Sequence, residues 1–415
     1  MPINKNTIRD DQLLQDIKRE AWADDVIKAL RRRKITTYTQ LFALIRDEQA
    51  DPQLRADICE EIRRLYVWID RRRFVPPLLD ALNTKHELVL QNVIQALNNL
   101  ESKRAAIPII KIASDKKRSY ETRYFAILAL TEGIRDRRAI PALLSIMLDR
   151  SDDIKVREDA IEHTAWFSDA SLVTPYIQLL SDPDVDMRFW AAYGFAIMRV
   201  NISSARSELD RVAAYDHLAP DGWWHVDREA LDALENIYWR QLGLADDESS
   251  QERVHIISPA PEYTTFEWRF NRWPYQEYKK LAPQTLKIDD IWFTEKLLSG
   301  WANIKLNVRQ PRPKTYLVDW LIEIDGEPLI GGLHRDQYTV VLTGSLKAVN
   351  SFAAWYRSII DLKQYLFLYE WAGLAVEIKP QANTEDIVMA QEERSQHTNA
   401  IDEREINYPW AIETD

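Results

Sequence analysis

The chain has 415 residues, a formal net charge of −11 from 54 Lys+Arg against 65 Asp+Glu, and a single cysteine, Cys59. That length exceeds what one compact core usually holds, so two folded units are expected, and one cysteine excludes an internal disulfide framework. The most apolar run, Leu366 to Ile378, is broken by Glu370 and Glu377 and falls short of a membrane span, while Met1 to Lys5 opens neither a signal nor a transit peptide. The expectation is a cytoplasmic protein without membrane contact.

In chain order, residues 8–33 carry an amphipathic pattern (Ile8, Leu13, Leu14, Ile17, Trp22, Ile27, Leu30) that predicts one or two helices capping a helical array. Thr37 to Ile45 and Leu54 to Ile69 then predict a first helix pair. From Arg73 to Ile202 one pattern recurs about four times at a period of roughly 31 to 34 residues, the mark of a repeat array. Each unit opens with proline near the start of a helix, at Pro76, Pro108, Pro141 and Pro175, where the missing N–H is no loss. Three of the four second helices carry Arg-x-x-Ala: Arg123 with Ala126, Arg157 with Ala160 and Arg188 with Ala191.

Asp51, Asp153 and Asp184 each precede an arginine (Arg55, Arg157, Arg188) by four residues, which puts a carboxylate at a helix N-terminus. There it caps backbone N–H groups and is within reach of the arginine one turn on, or of that in the next repeat. Together with Arg123 these residues predict a structural ladder rather than a catalytic row of charges.

Proline in the first helix followed by Asp-x-x-x-Arg-x-x-Ala in the second resembles the HEAT family of helical repeats, and the short period is similar to its phycobilisome-lyase subclass (PBS lyase HEAT-like repeats). The likeness covers about residues 36 to 203; the unit opening at Pro76 has Val89 and Asn92 in place of Arg and Ala. The resemblance implies an all-α solenoid. Its subclass alone implies a phycobilin lyase or phycobiliprotein chaperone.

Charge is unevenly spread: residues 1–150 hold 28 Lys+Arg against 21 Asp+Glu (+7), the remainder 26 against 44 (−18). Basic clusters fall at turns (Arg31 to Lys34, Arg71 to Arg73, Lys103-Arg104, Lys116 to Arg118, Arg135 to Arg138), a stripe able to follow a phosphate backbone. The plainer reading is a solvated edge whose cations neutralise helix C-terminal carbonyls, and nucleic acid is not the expected partner.

Past the regular repeats, Ser204 to Ala213 predicts the first helix of a sixth unit, with its turn enlarged from Tyr215 to His225. His217, Asp221, His225 and Asp227 match no metal-ligand spacing; Asp227 is expected to cap a helix from Arg228 to Trp239, and Trp223 and Trp224 to seal the solenoid. His163, on a repeat helix, is read as packed or capping. On the second helices, positions that turn outward carry Tyr124, Phe125 and Leu128, then Glu158, Asp159 and Glu162, then Phe189, Trp190 and Tyr193, an alternation suited to a protein-binding groove on the concave face.

After an acidic linker (244–252), period-two runs predict strands around Phe266 to Phe270, Ile304 to Val308, Val318 to Ile324 and Thr339 to Leu342, with a hairpin at Asp325-Gly326 and a turn at Gly331-Gly332. Leu346 to Ile359 predicts a helix and Leu366 to Ile378 a return to strand. The fold class is therefore multidomain: an α-helical HEAT-like solenoid (1–243), then a smaller α+β domain with a mainly antiparallel sheet (253–380), then an acidic mobile tail (381–415) in which Tyr408 to Trp410 is a candidate docking motif. With no nucleophile triad, zinc spacing, P-loop or dinucleotide fingerprint, the expected function is a non-catalytic adaptor or scaffold that binds another protein and needs no cofactor.

Overall fold

The computed structural model describes residues 10–65, 71–221, 223, 225–244, 254–259, 286–369 and 375–402. The expected strand at Phe266 to Phe270, the core of the acidic linker, Trp224 and Tyr408 to Trp410 lie outside the described residues. The chain divides into two compact units, Met1–Pro175 and Tyr176–Asp415. Among the described residues no helix is long and apolar enough to cross a membrane.

The first unit is an array of helix pairs. After α1 (Leu13–Arg19) and α2 (Asp24–Arg32), the pairs are α3 (Tyr38–Arg46) with α4 (Pro52–Arg63), α5 (Val75–Ala81) with α6 (Glu87–Asn99), α7 (Ala106–Ser114) with α8 (Tyr120–Thr131), and α9 (Ile140–Leu148) with α10 (Ile154–Thr164). Second helices pack in chain order, α4 on α6, α6 on α8 and α8 on α10. Local chemistry sets the starts: Thr37 and Gln40 close a capping box, and Asp51, Ser119 and Asp153 accept from the N–H groups of Gln53, Thr122 and Lys155. Fully buried Ala126, Ala129 and Ala160 leave room for neighbouring helices to approach closely.

The arginines of these helices are buried and follow one geometry. Arg55 Nε donates to Ile45 O (3.1 Å), Arg123 Nε to Ala113 O (2.8 Å) and Arg157 Nε to Met147 O (3.1 Å), each ten residues back near the C-terminus of the first helix of the pair. Carbonyls there have no helical partner, so the guanidinium satisfies them and pins the two helices together. The counter-ion differs from expectation. Asp51 and Asp153 only cap; Arg123 forms a bidentate pair with Asp152 of the next repeat (2.6 and 2.8 Å), and Arg55 pairs with Glu48 (2.7 Å). Asp153 is committed to the Lys155 N–H, while Asp152, which itself accepts from the Asp153 N–H (2.8 Å), points at Arg123.

Helix α11 (Val173–Leu179) spans the division between the units. The second unit continues with α12 (Val185–Ile197), α13 (Arg206–Tyr215) and α14 (Val226–Gln241). The strands are β1 (Val254–Ser258), β2 (Lys305–Leu306), β3 (Tyr316–Ile324), β4 (Glu327–His334), β5 (Val340–Gly344), β6 (Phe367–Tyr369) and β7 (Ala375–Glu377), with α15 (Asp290–Gly300) between β1 and β2 and α16 (Leu346–Ile359) between β5 and β6. Among the described residues they form one antiparallel sheet, in the order β2-β3-β4-β5-β1-β6-β7. Alternate residues Val318, Trp320, Ile322, Leu329, Leu333, Val340 and Leu342 face α15 and α16, where Phe293, Phe352 and Tyr356 complete the core.

Three expectations are corrected or refined in this unit. Gly331 and Gly332 are not a turn but lie within β4: a Cβ at Gly331 would meet the Trp320 ring at 2.1 Å, and one at Gly332 the Tyr316 ring at 2.5 Å. The pair admits two large aromatics from the adjacent strand. The expected hairpin is present, with Asp325 (φ 53°) and Gly326 (φ 84°) both left-handed, as its two-residue turn requires. The segment expected as a mobile tail contains α17 (Thr384–Asp402), anchored by Ile387 in the core and by Asn350 Nδ2 donating to Gln391 Oε1 (2.7 Å). One buried apolar residue among many acids left little sequence signal.

The sheet face opposite α15 and α16 is fastened to α13 and α14 by buried polar groups. Glu235 of α14 pairs with Arg309 (2.6 Å) and accepts from Tyr316 Oη (2.7 Å) and Thr343 Oγ1 (3.0 Å). Asp210 of α13 accepts from the N–H groups of Lys314 (2.7 Å) and Thr315 (3.1 Å). The last helix pair and the sheet therefore belong to one compact unit. We predict that Arg309→Ala, which strands Glu235 in a dry site, costs about 3–5 kcal/mol in denaturant unfolding, and that the Arg309→Met/Glu235→Leu double variant recovers most of it. A loss below about 1 kcal/mol in the single variant would show that the pair is not desolvated.

Candidate functional site

The outward face of the second helices in the first unit changes chemistry from helix to helix. On α6 it presents half-buried Gln91, Asn92 and Gln95; on α8 Tyr120, Tyr124, Phe125 and Leu128; on α10 Glu158, Asp159, Glu162 and His163. The α8 residues lie at i, i+4, i+5 and i+8, one stripe of the helix, while Thr122, Arg123, Ala126, Ile127 and Leu130 point inward. Gln91 Nε2 donates to Thr122 Oγ1 (3.1 Å), tying α6 to α8, and the Tyr124 ring lies 6.3 Å from that of His163, tying α8 to α10. Tyr120 and Tyr124 stack at 6.0 Å.

The α10 end is electrostatically unusual. Burial, with repulsion from Asp153, pushes the Asp159 carboxyl up to about 6; burial, with repulsion from Asp159 and Glu132, pushes that of Glu162 up to about 7; and burial pulls the His163 imidazole down to about 4. Tyr124 is raised by burial and by the Asp159 and Glu162 charges. The sequence named Asp159 and Glu162 as an acidic patch and set His163 apart. In the structure the three come together, and the Asp-x-x-Glu-His spacing was the signal that could have joined them.

The aromatic residues of α12 behave differently from expectation. Phe189 is fully buried, Trp190 is buried and Tyr193 half-buried. Trp223, from the enlarged turn before α14, covers them, with ring centroids 5.6 Å from Phe189 and 5.1 Å from Trp190. Phe189 and Trp190 are therefore core, with Trp223 packed against both. Arg188 completes the arginine series, pairing with Asp216 (2.6 Å) while Asp184 caps α12.

Of the four candidate ligands in that turn, His217 and Asp227 meet (2.8 Å); among the described residues the set does not converge on one point with Asp221 and His225. His225 rather than Asp227 is the N-cap of α14, and Asp227 sits buried in its first turn. Burial would raise the Asp227 carboxyl, but Arg228 and His217 outweigh it and hold it low, and the hydrogen bond to Asp227 raises His217.

Several side chains of the basic turns are engaged within the array. Arg71 donates to Asn99 O, Arg135 to Trp166 O (2.9 Å) and Arg138 to Lys103 O (3.1 Å), while Lys116 pairs with Asp149 and Arg118 with Glu87. These are the helix-terminal and inter-repeat roles of the plainer reading.

No protein-family model matches the chain, and no curated protein does. Among solved structures it is similar to an engineered protein (18% identity, 48% of this chain and 95% of that one, TM-score 0.35). It is also similar to a designed armadillo repeat protein in complex with the peptide (KR)4 (19%, 47% and 98%, TM-score 0.31). A further likeness is to the CpcE–CpcF complex of phycocyanin lyase from Nostoc sp. PCC7120 (16%, 59% and 93%, TM-score 0.30). The helical-repeat architecture itself is seen in the stacked helix pairs α3 to α10.

The sign of the α10 shifts gives a prediction. A carboxyl whose folded pKa is raised above its unfolded value supports folding at low pH and loses that contribution as pH rises, here between about 4.5 and 7 for Glu162. Glu162→Gln in EDTA-containing buffer should therefore raise stability at pH 8 by on the order of 1 kcal/mol, screened from the full shift, and change little at pH 4.5. Equal effects at both pH values would show that the carboxylate is well solvated.

Proposed function

We propose that this chain is a non-catalytic binding module, an adaptor or scaffold that holds an extended segment of another protein against the second-helix face of α6, α8 and α10. The observation that carries this reading is the α8 stripe of Tyr120, Tyr124, Phe125 and Leu128, which the neighbouring helices leave half open to water. Rigid aromatic side chains give large contact area at small entropic cost, and residues of this type dominate interface energies. Half-buried Gln91, Asn92 and Gln95 beside them supply amide donors and acceptors suited to an extended backbone. Glu132, acting on Tyr124, and Glu158, acting on Tyr120, border the stripe and favour a segment with apolar residues flanked by Lys or Arg.

Phe189 and Trp190 belong to the core and take no part in this face. Fluorescence anisotropy with two labelled peptide sets, one apolar–basic and one apolar–acidic, tests it on the full chain. Apolar–basic peptides should bind, and Phe125→Ser/Leu128→Ser should weaken them by ~10-fold or more, as loss of a central apolar anchor does. The melting temperature should stay within a few degrees, because neither side chain is fully buried. Binding of both sets alike, or of neither, would end this reading. Phe189→Ser is the contrasting control and should destabilise the fold by about 3–5 kcal/mol.

A further inference from the structure

Asp159, Glu162 and His163 occupy positions i, i+3 and i+4 of α10, so a single helix face presents two carboxylates and an imidazole. One potential ligand atom from each lies within 4.8 Å of the others, and His163 Nε2 stands 4.0 Å from Glu162 Oε2. These are not solvated surface acids. All three are partly buried, and Asp159 Oδ2 is shielded from water without a hydrogen-bond partner, although the Tyr120 hydroxyl bonds the same carboxyl group. Among the described residues Lys155 is the one cation acting on the cluster, at Asp159, where Asp153 opposes it; the groups acting on Glu162 are the carboxylates of Asp159 and Glu132, which repel it.

A buried acceptor atom without a donor and two carboxylates that repel each other are what a bound cation would satisfy at once. We propose that Asp159, Glu162 and His163 form a binding site for one divalent transition-metal ion of the zinc class. The donor set decides the class. Imidazole nitrogen with carboxylate oxygen suits Zn2+ and its first-row neighbours, whereas Ca2+ takes six to eight oxygens and Mg2+ keeps an octahedral oxygen shell. Two carboxylates neutralise the ion's two charges. Zinc bonds nitrogen at about 2.0–2.1 Å and carboxylate oxygen at about 2.0–2.2 Å, so binding would require the three side chains to draw together around the ion. Three protein ligands leave a tetrahedral ion one open position, for water or a donor from outside the chain.

The site does not rest on the peptide-binding reading and is tested without a partner. Full-length protein, stripped with EDTA and dialysed, is titrated with zinc chloride by isothermal calorimetry, and Co2+ loading is followed by visible absorption. One ion per chain should bind, Co2+ should give the intense visible bands of a four-coordinate site, and His163→Ala should weaken zinc by ~10-fold or more, as loss of a coordination group does. Asp159→Asn/Glu162→Gln should do the same while keeping side-chain shape, so that circular dichroism can show an unchanged fold. His217→Ala, which removes the other imidazole beside a carboxylate, should leave zinc binding intact. Lack of saturable uptake, uptake unaffected by the α10 variants, loss on His217→Ala, or equally strong binding of calcium chloride would each overturn the proposal.

Discussion

A guanidinium that reaches back ten residues to an open carbonyl at the end of the preceding helix holds each of three repeats of the first unit in shape. Arg55, Arg123 and Arg157 make the same bond, and burial of their side chains makes it expensive to break. Because the arginine sits on the inner side of its helix, it sets which residues of that helix remain outside. On α8, Arg123 inward places Tyr120, Tyr124, Phe125 and Leu128 outward; on α10, Arg157 inward places Glu158, Asp159, Glu162 and His163 outward. The architecture and the chemistry of the candidate face thus depend on one recurring residue.

That dependence explains what could be read from the chain alone. Proline, aspartate, arginine and alanine recur at fixed offsets, so the helix pairs, their caps and the outward positions of α8 were legible. The partner of each arginine was not, because Asp152 and Asp153 differ by one residue and only the path of the turn decides which of them caps and which pairs. The burial of Phe189 was also hidden, since its cover, Trp223, arrives from an insertion more than thirty residues later. In the sheet, period two revealed β3, but β1 takes its place between β5 and β6 through long-range pairing that a five-residue run does not announce. Gly331-Gly332 has the composition of a turn, and only the positions of Trp320 and Tyr316 show it to be a strand.

Two kinds of polar cluster occur in this molecule. Around Glu235 both oxygens have donors, and the group serves as a fastening. Around Asp159 an oxygen lacks a donor, like charges adjoin, and the side chains are only partly covered. Fully satisfied networks rigidify a fold, whereas incompletely satisfied ones at a partly open surface are where a ligand gains most from arriving. The contrast lies in hydrogen-bond completeness rather than in residue type.

The fastening of α13 and α14 to the sheet has a consequence for how such a chain is assembled over evolutionary time. Covalent order invites a cut in the acidic stretch after α14, yet a sheet severed there would carry away Arg309 and Thr315 without Glu235 and Asp210. A recombination event that transplanted the sheet would succeed only if the breakpoint lay upstream of α13, so that the last helix pair travelled with it as an inherited cover. Lengthening or shortening of the array by duplication is correspondingly confined to repeats before that pair.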